Sequence, residues 1–265
     1  TFTAPATVVI NATASDSDGT VSKVDFYQNG IFLGTDATSP YSFTWSSVAA
    51  GNYNLTAVAT DNLGATGTSP VVAIVVNPAG GGLPAPWVQQ DIGNVGAAGS
   101  ATYSAGAFSD VGSGDDIWNA ADAFHYVYQP LTANGTIIAR VASVQNTDPW
   151  AKAGIMIRES LQANSRFSMM AITPANGIVF QSRTTTGAAA VSTQGPIVSA
   201  PYWLKLVRHS KTFSGYYSTN GTSWTLLGSV TVTLSTGTYI GLPVTSHNNG
   251  ILCTAVLDNV SVTSP

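Results

Sequence analysis

The sequence predicts an all-β chain made of two sandwiches, and three observations carry that prediction. Short apolar runs alternate with a period of two and are bounded by Gly, Asn, Asp and Pro turn signals. No segment carries an apolar stripe at the helical period of about 3.6 residues. The stretch Asn77-Pro78-Ala79-Gly80-Gly81-Gly82-Leu83-Pro84-Ala85-Pro86 has no periodicity, and its glycines and prolines continue neither strand nor helix. We therefore expect a first domain over 1–77, a linker over 78–86 and a second domain over 87–265.

In the first domain the strand-like runs are 8–14, 21–27, 31–34, 41–45, 53–60 and 71–76. Strands this short and this closely spaced bury their apolar faces by stacking two sheets. The segment Gln28-Asn29-Gly30-Ile31 supplies the positive-φ residues of a tight hairpin, and Asp16-Ser17-Asp18-Gly19 and Asp61-Asn62-Leu63-Gly64 mark further turns. In the second domain the runs are 124–129, 135–141, 153–158, 167–173, 177–183, 202–208, 212–218, 224–228, 239–245 and 254–262. So many strands again require two stacked sheets.

Composition narrows the function classes. Only 8% of the 265 residues are charged and the net charge is -4, so no cationic field exists for nucleic acid or anionic lipid. No uninterrupted apolar run approaches membrane-spanning length. The lone Cys253 rules out an internal disulfide and a multi-cysteine zinc site, and its apolar surroundings predict a buried thiol. Low charge with abundant Thr, Ser, Asn and Gly is the composition of secreted modules, so we expect a secreted or cell-surface fragment of a larger polypeptide.

The segments 15–27 and 57–66 resemble the bacterial immunoglobulin-like domains that stand between modules of secreted enzymes. That resemblance implies a spacer without chemistry, and it implies that one strand is missing at the start, leaving an exposed edge. The second domain resembles the concanavalin A-like, laminin-G-like jelly rolls of bacterial carbohydrate-active enzymes. The residues that carry the likeness are 115–118, 122–129, 150–158 and 258–260. It implies a fold more than a function, because this architecture hosts lectins, binding modules, hydrolases and lyases.

Alternation places Lys152, Arg158, Gln181, Arg183 and His125 on the polar face of one sheet, where they would floor a shallow groove for sugar hydroxyls and carboxylates. Trp118 and Trp150 stand at loop-to-strand junctions, where an indole can stack on a sugar ring. Trp87 reads as an anchor for the first strand, while Trp45, Trp203 and Trp224 read as core. His247 is a turn residue or a donor at the rim of a site. A structural calcium is expected between Asp91 and Asp258, a pairing implied by the jelly-roll resemblance alone. The chain's only glutamate, Glu159, is a poor half of the carboxylate pair that glycoside hydrolysis needs.

The expectation is thus a non-catalytic polysaccharide-binding module behind a spacer, attached to a catalytic module in the full-length protein. A lyase or hydrolase on the same sheet and a purely structural or adhesive pair of domains are the alternatives.

Overall fold

The computed structural model describes residues 2–49, 51–77, 82–235 and 237–264. The chain divides into two compact units, 1–80 and 81–265. Residues 78–81 of the expected linker lie outside the described residues, and 82–87 contain no strand. All regular structure among the described residues is β.

The first unit holds β1 (Phe2–Thr3), β2 (Ala6–Ala12), β3 (Val21–Gln28), β4 (Ile31–Asp36), β5 (Tyr41–Val48), β6 (Gly51–Asp61), β7 (Thr66–Thr68) and β8 (Val72–Asn77). One sheet runs β1-β8-β6-β3-β4 with β7 beside β6, and β2 pairs with β5 as the second layer. Val24, Phe26 and Tyr41 fill one end of this immunoglobulin-like sandwich, and Val8, Val48, Leu55 and Val76 fill the other. The β3–β4 hairpin closes through Asn29 and Gly30 at φ 45° and 79°, a conformation that needs residues tolerant of the left-handed region. Among the described residues β2 pairs with β5 alone, so its other edge is open.

The second unit is a jelly-roll sandwich. Its strands are β9 (Val88–Ile92), β10 (Ser100–Ser104), β11 (Ala107–Gly112), β12 (Ile117–Trp118), β13 (Ala121–Asp122), β14 (Phe124–Leu131), β15 (Gly135–Val144) and β16 (Lys152–Arg158). They continue with β17 (Phe167–Thr173), β18 (Gly177–Arg183), β19 (Val191–Gln194), β20 (Tyr202–His209), β21 (Thr212–Ser218), β22 (Thr225–Thr231), β23 (Thr238–Thr245) and β24 (Cys253–Thr263). The front sheet has the order β19-β18-β17-β16-β23-β14-β9, and the back sheet β10-β11-β24-β15-β20-β21-β22. The strands β9 to β13 and β19 lie outside the runs read from the sequence.

Between the sheets lies the main core, which includes Val127, Ile137, Ile155, Ile157, Phe180, Leu204 and Leu257. Cys253 is buried there. Trp87 packs on this core, with its ring 5.1 Å from Phe108. The opposite face of the front sheet is not open to water. It carries a second cluster of Phe124, Tyr126, Tyr128, Met156, Phe167, Met169 and Val179, sealed by Ile117 and Ala190 from the connecting segments. For that reason β16, β17 and β18 are buried along their whole length on both faces.

Candidate functional site

The covered end of the front sheet is organised by Asp122, which is buried together with Arg158 and Arg183. Arg183 donates from Nη1 to Asp122 Oδ2 at 2.9 Å and from Nη2 to Oδ1 at 2.6 Å. It also donates to the carbonyls of Trp118, Asn119, Ser165 and Ala188 at 2.8 to 3.0 Å. Arg158 Nη1 lies 3.4 Å from Asp122 Oδ2, and this side chain donates to the carbonyls of Ser160 and Gln162. Each guanidinium stacks 5.0 Å from a ring, Arg158 over Phe124 and Arg183 over Phe167. Burial lifts the Asp122 carboxyl above the usual carboxylate range, against the pull of the two guanidiniums. Directional hydrogen bonds, more than net Coulomb gain, hold such a cluster together.

This corrects the expected groove. Arg158 and Arg183 lie on the predicted face, but the 116–123 hairpin and the 159–166 and 184–190 segments close over them. Those segments need their carbonyls satisfied in the interior, and the guanidinium forks supply the donors. His125 is also corrected. It points between the sheets, away from Arg158, where Nδ1 lies 2.8 Å from Asp91 Oδ1 and Nε2 lies 3.1 Å from Gln89 Oε1. Nearby, Asp110 is wholly buried and neither of its carboxylate oxygens has a hydrogen-bond partner, His125 Nε2 standing 3.9 Å from Oδ1. Burial first, then the charge of Asp91, raises its pKa well above the usual carboxylate value.

The expected pairing of Asp91 with Asp258 is corrected as well. Asp91 is on β9, which pairs with β14 in the front sheet, whereas Asp258 is on β24 in the back sheet. Asp91 accepts from His125 and the Gly99 amide, and Asp258 is taken up by Arg140 at 2.8 and 2.5 Å. The end strands do not pair, so the two carboxylates are not brought together. Trp203 and Trp224 belong to neither core cluster; Lys205 Nζ lies 4.4 Å from the Trp224 and Tyr216 rings.

What remains of the predicted set meets at the other end of the same face. Trp118, Trp150, Lys152 and Gln181 line a cavity of about 560 Å³, together with Asp116, Ser192, Gln194 and His247. Trp150 is 38% exposed, so its indole is available at the mouth. The turn Thr147 to Trp150 is held by the Trp150 amide donating to Asp148 Oδ1 at 2.7 Å, the Asx turn that an Asp-Pro sequence favours. Gln181 is 3% exposed and its Oε1 has no hydrogen-bond partner, an arrangement that costs free energy until a donor arrives.

The charges of the cavity neutralise one another. Lys152 donates from Nζ to Asp116 Oδ1 at 2.5 Å and to the Trp150 carbonyl at 3.1 Å. Burial lowers the Lys152 pKa and Asp116 partly restores it. His247 stands between two carboxylates, with Nε2 3.2 Å from Asp116 Oδ2 and Nδ1 3.1 Å from Asp148 Oδ1. It is both the positive-φ turn residue, at φ 53°, and part of the rim. Ser192 and Gln194 lie outside the residues expected from the sequence, where Asp116 enters only within the segment 115–118 that carries the jelly-roll resemblance. Ser192 and Gln194 sit on β19, which has no distinctive alternation.

Comparisons with known proteins bear on this architecture. The family described as a bacterial Ig domain matches residues 1–57. No curated protein sequence matches the chain. Among solved structures the chain is similar to a functionally unknown protein from Saccharomyces cerevisiae, at 18% identity and TM-score 0.52, covering 63% of this chain and 92% of that one. At that identity the likeness is one of fold. It is also similar to fibronectin(III)-like modules of Clostridium thermocellum CbhA, at 38% identity and TM-score 0.28 over 29% of this chain and 86% of that one. A structure described under the specificity of carbohydrate-binding modules of the β-sandwich superfamily aligns at 14% identity and TM-score 0.32, over 99% of this chain and 94% of that one.

Proposed function

We propose that the second unit binds a neutral polysaccharide in the cavity between Trp118 and Trp150, without cutting it. The observation that carries the reading is Gln181 Oε1, a buried acceptor with no partner in a cavity whose mouth is an exposed indole. A sugar ring laid on Trp150 presents its C–H face to the indole, and a hydroxyl on its edge satisfies Gln181. The cations near the site are all committed: Arg158 and Arg183 to Asp122, and Lys152 to Asp116. Nothing in this set is free to take up a uronate, so the ligand class is neutral rather than acidic. Glu159 is likewise engaged, by Arg166 and by the Ser235 amide at 2.9 Å. The first unit then acts as the spacer, and attachment to a secreted catalytic module belongs to the same proposal.

Affinity electrophoresis of the whole chain in gels containing neutral and uronate-rich polysaccharides tests this. Retardation is expected in at least one neutral glycan gel, with Trp150→Ala weakening it at least about tenfold and Gln181→Ala several-fold. Retardation only by uronate-rich glycans would overturn the ligand class. New reducing ends or unsaturated products after incubation would replace binding with hydrolase or lyase activity.

A further inference from the structure

A second cavity adjoins the first. It has a volume of about 420 Å³, and its lining includes Gly93, Asn94, Asp115, Asn119, Ala121 and Asp122. Asp116 and Trp118 line both cavities, so the β12–β13 hairpin is the element they share. We propose that the ligand is a chain of at least two linked neutral sugars, which lies in both cavities and crosses the Trp118 indole between them. This rests on the reading of the first cavity as a carbohydrate site and names the length its ligand needs.

Three observations carry the proposal. Each cavity by itself falls in the size range of small-molecule sites, about 300 to 1,000 Å³, so one monosaccharide in the first leaves the second empty. The second cavity offers polar groups without a cation: Asp115 makes no hydrogen bond among the described residues, and Asn94 and Asn119 are exposed beside it. Carboxylate and amide oxygens accept from sugar hydroxyls, and the carboxylate repels a uronate, which agrees with the neutral class at the first cavity. Finally, the shared hairpin is rigid. Arg183 Nη2 holds the carbonyls of Trp118 and Asn119 at 2.8 and 2.9 Å, and the Ala190 amide donates to Asn119 at 3.0 Å. The floor of the second cavity is equally constrained. Gly93 sits at φ +74°, and a Cβ there would fall 2.0 Å from the Asp122 carbonyl. A preorganised wall between two cavities loses little entropy when a chain settles across it.

The experiment is titration calorimetry of the whole chain with neutral cello-, xylo- and manno-oligosaccharides from monosaccharide to hexasaccharide. Affinity is expected to rise at least about tenfold from the monosaccharide to the shortest oligomer that spans both cavities, and then to level off. Ala121→Trp, at an exposed position, is expected to bring long oligomers down to monosaccharide affinity by filling the second cavity, and Asp115→Ala to lower their affinity several-fold. A flat length profile with Trp150-dependent monosaccharide binding would overturn the two-cavity proposal and leave the first reading standing. Long-oligomer binding indifferent to both substitutions would do the same. Failure of every member of the series to bind, together with absent gel retardation, would overturn both.

Discussion

The two ends of one sheet face make the useful contrast in this molecule. At one end Arg158 and Arg183 surround Asp122 under three covering segments, with their guanidinium donors taken up by protein acceptors, mostly backbone carbonyls and the Asp122 carboxylate. At the other end Lys152 pairs with Asp116, but Trp150 and Gln181 open onto a cavity. The same residue types, a few positions apart on the same strands, serve as scaffold in one place and as a binding site in the other. The difference is made by what packs over them. A cation saturated by backbone carbonyls positions loops, and recognition falls to the neighbours whose polar atoms are left unpaired.

The largest effect should come from breaking the covered end. Asp122→Ala leaves two buried guanidiniums without their counter-charge and is expected to cost about 3–5 kcal/mol, read as a shift in the urea midpoint. A loss below about 1 kcal/mol would mean that the carbonyls alone hold the arginines. At the open end, Trp150→Ala should change stability by less than about 1 kcal/mol while removing most of the glycan affinity, because the ring is already partly in water. Comparable losses of stability at both ends would erase the contrast.

A smaller effect concerns Asp110 on β11 of the back sheet. The Asp110 pKa is raised in the fold, so the folded state binds this proton more tightly than the unfolded chain. Its contribution is therefore most favourable below the unfolded carboxylate value near pH 3.8, and it declines as pH rises through the raised folded value. Asp110→Asn abolishes that titration and should gain about 1–3 kcal/mol relative to the parent at alkaline pH, shrinking toward pH 4. Melting curves of the two proteins that run parallel across this range would contradict the assignment.

Much of the fold was legible in the sequence because alternation reports faithfully which side of a strand a residue faces. Ala153, Ile155 and Ile157 enter the main core, and Met156 and Arg158 take the opposite side. Alternation says nothing about what covers that side, so a polar-looking face with Lys152, Arg158, Gln181 and Arg183 read as the floor of an open groove. Its true signal was aromatic: Phe124, Tyr126, Tyr128 and Phe167 share the face and need a cover of their own. Strands β9 to β11 were missed because segments such as Ser100-Ala101-Thr102-Tyr103-Ser104 are small and weakly apolar, and they become strands only through their ladder partners. The alternation of β14 separates His125 from Phe124 and Tyr126, but that its side is the one between the sheets shows only once β9 pairs with β14 and sets His125 opposite Asp91. The aromatic pair Trp118 and Trp150 was visible as loop-edge indoles, but their meeting depends on the β12–β13 hairpin folding back onto β16 and β18.

The Arg183 clamp on that hairpin has one further consequence. Because the wall of the cavity is fastened to a group in the deep interior, no partially melted form can lose its cover and still present the indoles in register. Retention on an immobilised glycan would then separate intact molecules from damaged ones, making the protein a gauge of its own integrity.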